Sequence, residues 1–446
     1  MIDLTNLLII KSDGTIKQIN PFNKTEVWTV PERGKRPFDN NKKITKNLIN
    51  SNSLKNCPFC PHNYLMTPPE HLRVIKENEN YKYIFNVNVN EINKTIAEFR
   101  LIPNLFEIIT YNYWVKNYNL KLTKEQQMAM ESYISISEGF EHIINIINYK
   151  LTKMGYSDEE IMSMSKRQKL KDAESFFGGT HKIIIVKKHY IDNAKYEDEL
   201  FSTKYLSTEE HYQYFKLTIY SMEQIYKSNQ YVRYVSVFQN WLPDAGASIE
   251  HLHKQLVGID EWGTSIENEI RLVKENPNIY NEAALNMAIY NNLVIAENDC
   301  AIAFADIGHI YPTIAIYSKS QNIRPFQHTD DEIRLFSNLV HSIHSAFEHY
   351  IPTNEEWFYT PLDAVYPMPC HILIKLRMNN PAGFEGGTKI YINPISPFKL
   401  RDQIVTKLFK LRENGQIDRN IRIAEECQLK INSLKYVRNF QTLWNF

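Results

Sequence analysis

A strand, a helix and two further strands can be read twice along this chain, about 120 residues apart. Ile183 to Val186 is a short β-branched apolar run, which predicts a buried strand. Ser207 and Glu210 then form a capping box, each side chain satisfying a backbone N–H of the other residue. The helix they open aligns Phe215, Ile219, Met222 and Ile225 on one face. Tyr231 to Phe238 reads as a strand, and the turn Pro243-Asp244-Ala245-Gly246 leads into another. The order then returns. Ile314 to Tyr317 is a strand, and Thr329 with Glu332 is a second capping box. Its helix aligns Ile333, Phe336, Val340, Ile343 and Phe347, and strands follow at Glu356 to Thr360 and Cys370 to Leu376. This repeat predicts a duplicated architecture. Only the first copy carries the dense polar motif, which implies one working copy and one that supports the site or binds substrate.

That motif is Gly246-Ala247-Ser248-Ile249-Glu250-His251-Leu252-His253-Lys254-Gln255. Side chains alternate along a strand, so His251, His253 and Gln255 are expected on one face and Leu252, Lys254 and Leu256 on the other. Two imidazoles and an amide on one surface can bind metal, attack a centre or hold phosphate. They can equally be two half-buried histidines among the fourteen present. Neutral imidazole at His253 can attack phosphorus and form a labile phosphoramidate, splitting one transfer into two steps. Gln255 can bond a phosphate oxygen without supplying a full proton, which disfavours hydrolysis. Ser248 and the backbone N–H groups of the Gly246 turn can hold further oxygens.

Upstream, Cys57-Pro58-Phe59-Cys60 spaces two thiols to clamp one ion, and tetrahedral zinc needs two more ligands. Histidines are the natural source, with His62 and His71 nearby. A redox pair or two inert cysteines are the other readings. Five cysteines in all do not make a disulfide framework. Arg33 and Arg36 stand in a Pro/Gly-bounded basic turn that can pair with phosphate or be solvated. Tyr81 to Val89 reads as a strand, and residues from about 107 to 177 as a helical insertion, with a long helical stretch from Leu122 through Ile147 and more charged helix to about Phe177. The tail after about 400 reads as charged helix.

At 446 residues the chain can hold two cores or one fused core. Lysine plus arginine balances aspartate plus glutamate at 51 each, so no general drive to nucleic acid or anionic membrane is expected. No run of about 18 apolar residues spans a bilayer. Met1 to Asn6 lacks a basic n-region, which predicts no secretory signal and cytoplasmic residence.

Taken together, the motifs resemble the galactose-1-phosphate uridylyltransferases of the histidine-triad superfamily. The likeness is carried by four motifs in order. They are Pro31-x-Arg33-x-Lys35-Arg36-Pro37, Cys57-x-x-Cys60, the block from Asn240 to Gln255, and Ala382-Gly383-Phe384-Glu385 with Tyr391. It implies an α+β fold of two half-barrel repeats of antiparallel sheet flanked by helices. The N-terminal half would span 1–260 with its insertion, the C-terminal half 261–400, and a helical tail 401–446. His253 would be the nucleophile. Cys57, Cys60, His251 and His189, the histidine ending the Ile183 to His189 strand, would hold zinc. Asn240, Ser248 and Gln255, with the Gly246 turn, would contact phosphate, Arg33 and Arg36 the diphosphate, and Phe384 and Glu385 the sugar. The implied reaction moves a nucleoside monophosphate from a nucleotide sugar to a sugar 1-phosphate through a nucleotidyl-histidine. Family members commonly pair as homodimers.

The chain departs from the family where Leu252 and Lys254 replace the usual Pro and Gly. It also keeps only His371 in the second-copy strand, which marks a divergent branch and leaves base and sugar open. Two other readings stand beside transfer. One is a phosphorylase or hydrolase of nucleotide sugars or dinucleoside polyphosphates. The other is a zinc-stabilised nucleotide-binding protein without turnover.

Overall fold

A computed structural model of the chain describes residues 6–31, 47–49, 57–378 and 380–436. Near the N-terminus β1 (Leu8–Ile10), β2 (Ile16–Ile19) and β3 (Glu26–Thr29) form a small sheet, which the late strand β15 (Ile390–Ile392) joins in parallel. The main sheet begins with β4 (Leu72–Glu77), β5 (Asn80–Phe85) and β6 (Phe99–Pro103). It continues with β7 (His181–Val186), β8 (Tyr234–Trp241) and β9 (His253–Ile259). The second half supplies β10 (Val294–Glu297), β11 (Ala301–Asp306), β12 (Thr313–Ser318), β13 (Thr353–Phe358) and β14 (His371–Leu376). The short β16 (Arg422–Ile423) comes from the tail.

Among the described residues these twelve strands make one sheet in the order β16-β10-β11-β12-β14-β13-β8-β9-β7-β6-β4-β5. Read outward from the β13·β8 pair, the two sides repeat: β13-β14-β12-β11-β10 and β8-β9-β7-β6-β4. The duplication expected from sequence is therefore a pseudo-two-fold about that pair, whose register sets Asn354 opposite Asn240 and Glu355 opposite Gln239. Both halves share one hydrophobic core and the α+β class is as expected.

Between β6 and β7 stand α1 (Tyr111–Tyr118), α2 (Lys124–Ile134), α3 (Ser137–Lys153), α4 (Asp158–Ser163) and α5 (Lys166–Gly178). The expected helical stretch from 122 to 147 consists of two helices, because Ile136 is extended and the chain turns back. Gly139 makes the turn possible: a Cβ there would stand 2.1 Å from the Tyr133 carbonyl oxygen. The two long helices of the repeat, α6 (Thr208–Ser228) and α9 (Asp330–Ser345), both start at the expected capping boxes. They cover one face of the sheet. Along β7, Ile184 and Val186 belong to that core, while Ile183 and Ile185 pack on the other side with Cys57, Phe59, Cys60 and Ile102.

Other boundaries move. β5 ends at Phe85, well short of Val89, because Asn86 takes a left-handed φ of 47°. β7 ends at Val186, one residue before the last β6·β7 backbone bond, from the Lys187 N–H to the Glu98 carbonyl, so His189 lies beyond the strand. In the second half β13 starts at Thr353, earlier than Glu356, because it pairs with β8. Beyond β14, α10 (Gly383–Thr388) and α11 (Pro397–Glu413) follow, the helix α7 (Thr264–Glu275) and the short α8 (Met287–Tyr290) having preceded β10. The tail is not helix alone: β16 closes the sheet edge on β10. No helix among the described residues is long and apolar enough to cross a membrane.

Candidate active site and metal centre

Cys57 and Cys60 begin a knuckle packed under β7. They meet His189, past the end of β7, and His251, just before β9, with all four ligand atoms within 4.8 Å of one another. The Cys57 Sγ to His251 Nδ1 distance is 3.6 Å, Cys60 Sγ to His189 Nδ1 3.4 Å, and Cys60 Sγ to His251 Nδ1 3.8 Å. A tetrahedral ion with zinc's bond lengths gives sulfur–nitrogen edges of about 3.6 Å. The donor set therefore fits a four-coordinate ion. His251 is oriented for it: its Nε2–H donates to the Val186 carbonyl at 2.6 Å, which leaves the Nδ1 lone pair towards the thiols. Hydrogen bonding to Cys60 holds the Cys57 thiol below the usual thiol range, and hydrogen bonding to Cys57 pushes Cys60 above it.

His251 does not lie in the strand with His253, as alternation would have it; β9 begins at His253. His253 and Gln255 do share a face, and both line a cleft of about 500 Å³ with Ser248, Asn104, Phe59 and Tyr149. His253 is buried, its Nδ1–H donating to the His251 carbonyl at 2.7 Å, so Nε2 carries the lone pair. Burial lowers its pKa to about 4, and the ring stays neutral at physiological pH. Phe59 packs its edge against the ring at 5.3 Å between centroids. The insertion closes one wall through Asn145, Ile146 and Tyr149 of α3. Among the described lining residues there is no Asp, Glu, Lys or Arg.

His181, the first residue of β7, escaped the sequence reading. It accepts from the Ile108 N–H at Nδ1, 3.1 Å, so its Nε2–H donates to Gln255 Oε1 at 3.0 Å. That bond turns the Gln255 amide hydrogens into donors for a bound anion. The signal was available: His181 shares the β7 face of Ile183 and Ile185, two and four residues on. His181→Phe is expected to lower the rate about tenfold, the worth of one hydrogen bond. It should do little more once Gln255→Ala is present. Additive losses in a double-mutant cycle would sink the positioning role.

A family model described as a domain of unknown function, DUF4921, matches residues 11–436. The chain belongs to the DUF4921 family. No curated protein matches it. Among solved structures it is similar to an ADP-glucose phosphorylase from Arabidopsis thaliana with bound ADP-glucose. The identity is 17%, covering 87% of this chain and 98% of that one at a TM-score of 0.55. A GalT-like protein from Arabidopsis thaliana is also 17% identical, covering 78% and 91% at a TM-score of 0.51. At such identities the likeness shows the fold, which is GalT-like.

In the DUF4921 chain the remaining expected residues fall into three places. Arg33 and Arg36 lie outside the described residues. Asn240 accepts from Asn354 at 2.7 Å and lines a neighbouring groove, not the His253 cleft. Gly246 takes a left-handed φ of 90° in the turn before Ser248. Phe384 and Glu385 sit on the short α10, away from the lining of the cleft; Phe384 is half exposed and Glu385 caps its own helix at Ala382. His71, a rival ligand on sequence grounds, points to the other side of the sheet.

The second half repeats the position of His253 without its opening. His371 begins β14 as His253 begins β9, and its Nδ1–H likewise donates to the carbonyl two residues back, at 3.0 Å. Its ring is sandwiched between Tyr317 at 4.5 Å and Phe358 at 5.0 Å. Aromatic packing has filled the second site.

Proposed function

We propose that this protein is a zinc-dependent nucleotidyl-transferring enzyme acting on nucleotide sugars. One observation carries the reading. His253 is held by its Nδ1–H so that a neutral, bare Nε2 faces a cleft next to the Gln255 amide. Nε2 would attack the α-phosphorus. The new N–P bond forms as the P–O bond to the departing sugar phosphate breaks, and the Nδ1 proton stays on its nitrogen, hydrogen-bonded to the His251 carbonyl. Gln255, oriented by His181, and Ser248 would hold the phosphate oxygens, and Arg33 and Arg36 would meet the diphosphate. A sugar 1-phosphate then takes the nucleotidyl group from His253. The absence of a carboxylic acid among the described cleft residues disfavours activating water or protonating a leaving group, so transfer is preferred over hydrolysis.

Phosphorolysis is the second reading. It is supported by the similarity to an ADP-glucose phosphorylase, with inorganic phosphate as the acceptor. Incubation with UDP-glucose or ADP-glucose is expected to add one nucleotidyl mass to the protein, mapped to His253. Phosphate or a hexose 1-phosphate should then discharge it, and whichever does so names the acceptor. The absence of an adduct with any nucleotide sugar on metal-loaded protein would sink both readings.

Zinc bound by Cys57, Cys60, His189 and His251 would fix the approach to β9 and so the place of His253. Cys60→Ser is expected to lower metal content and to slow adduct formation about 10- to 100-fold. Metal analysis and intact-mass kinetics on one preparation check this, and full activity in metal-free protein would refute it.

A further inference from the structure

We propose that a second small-molecule site lies behind β7, in a cavity of about 400 Å³ enclosed by α2, α5 and α6, and that it takes a small organic anion whose carboxylate or phosphate pairs with Lys182. His181 and Ile183 line the candidate active cleft, whereas Lys182, between them, lines this cavity. The two sites share β7 as a wall.

Lys182 is buried, only 7% exposed, and its Nζ donates to His71 Nδ1 at 3.2 Å. His71 is fixed as that acceptor because its Nε2–H donates to the Phe176 carbonyl at 2.6 Å. One amine hydrogen is thus used, and the others remain for an occupant. Buried lysine is costly without a counter-charge. The same protein shows the usual solution at Lys254, which ion-pairs with Glu355 at 2.6 Å. Lys182 has an imidazole instead. Among the described residues Glu107 is the acid that acts on it, through space and without an ion pair, and Glu125 and Lys227 also line the cavity. Burial draws the Lys182 pKa down to about 7, so an arriving anion would restore its full charge.

The walls fix the rest of the ligand. Leu72, Leu101, Phe177 and Ile225 are apolar, and Gln126 and Gln224 offer amides. An anionic group on an apolar or aromatic body suits this lining. Ala129 and Gln126 come from α2 and Phe177 from α5, so the insertion builds the cavity as well as one wall of the active cleft.

The test uses phenyl phosphate, phenylacetate and neutral benzyl alcohol on the full-length protein. One or both anions should raise the thermal midpoint by about 2 °C or more at saturating concentration. The alcohol should not. Phenyl phosphate alone would assign a phosphate ester, and phenylacetate alone a carboxylate. The shift should vanish in Lys182→Met and survive when Ser248 and Gln255, the polar groups that would hold an anion in the active cleft, are both replaced by alanine, which separates this site from that cleft. On the wild type, the same anion should protect Lys182 at least threefold from reductive methylation, read by peptide mass. That measurement stands even if Lys182→Met fails to fold. No response to either anion, an equal response to the alcohol, a shift retained in Lys182→Met, or unprotected Lys182 would each overturn the proposal.

Discussion

His253→Asn is expected to abolish the nucleotidyl adduct and to lower turnover by on the order of 10³-fold or more. Asparagine is chosen because its side-chain N–H can still donate to the His251 carbonyl, as His253 Nδ1 does at 2.7 Å. The backbone between His251, a candidate metal ligand, and β9 should then keep its course, and metal content should stay at the wild-type level. What is lost is the bare Nε2 and nothing else of comparable reactivity, because the described lining has no carboxylate, lysine or arginine to take over. Binding of the nucleotide sugar should survive, since Ser248, Gln255 and the apolar walls remain. Equilibrium binding, intact mass and steady-state rates on one batch separate these effects. An adduct that persists in His253→Asn, or turnover within tenfold of wild type, would remove His253 from the reaction.

Much of this site was legible because its parts are local or alternate simply. The capping boxes at Ser207/Glu210 and Thr329/Glu332 are four-residue signals and formed where expected. The cluster of Cys57, Cys60, His189 and His251 followed from a ligand spacing and a family likeness, and the four ligand atoms do converge. The misses are of another kind. His251 leaves the face of His253 because β9 starts later than alternation alone suggests. His181 was overlooked because the apolar run drew the strand start to Ile183. The insertion's helical content was plain, but its place over the cleft depends on how α3 turns at Gly139. Asn240 was expected at the phosphate, yet the β8·β13 register turns it to Asn354, a pairing 114 residues away that no local pattern encodes.

The same register explains Lys254, the departure that made the substrate hardest to read. Lys254 faces away from the cleft, fully buried, with its Nζ on Glu355 at 2.6 Å and over the Tyr214 and Trp357 rings at 4.8 and 5.0 Å. Glu355 also accepts from His344 at 2.7 Å and from Trp357 at 2.5 Å. Lys254 belongs to β9 of the first half and Glu355 to β13 of the second, so the substitution bears on the joint between halves. Burial pushes the Glu355 carboxyl up, but the Lys254 charge and the His344 donor outweigh it and hold the group below the usual carboxylate range. Its contribution to stability is therefore present above the ordinary value of 4.5 and is lost as pH falls towards the lower folded value. Glu355→Leu should cost about 3–5 kcal/mol at pH 7, because it strands a buried ammonium. Lys254→Met placed on top should recover most of that loss, since two apolar side chains can replace the pair. Urea unfolding of the two single variants and the double variant closes the cycle. If the double variant is as unstable as Glu355→Leu alone, the loss belongs to Trp357 and His344 left without their acceptor, and the ion pair is not what joins the halves.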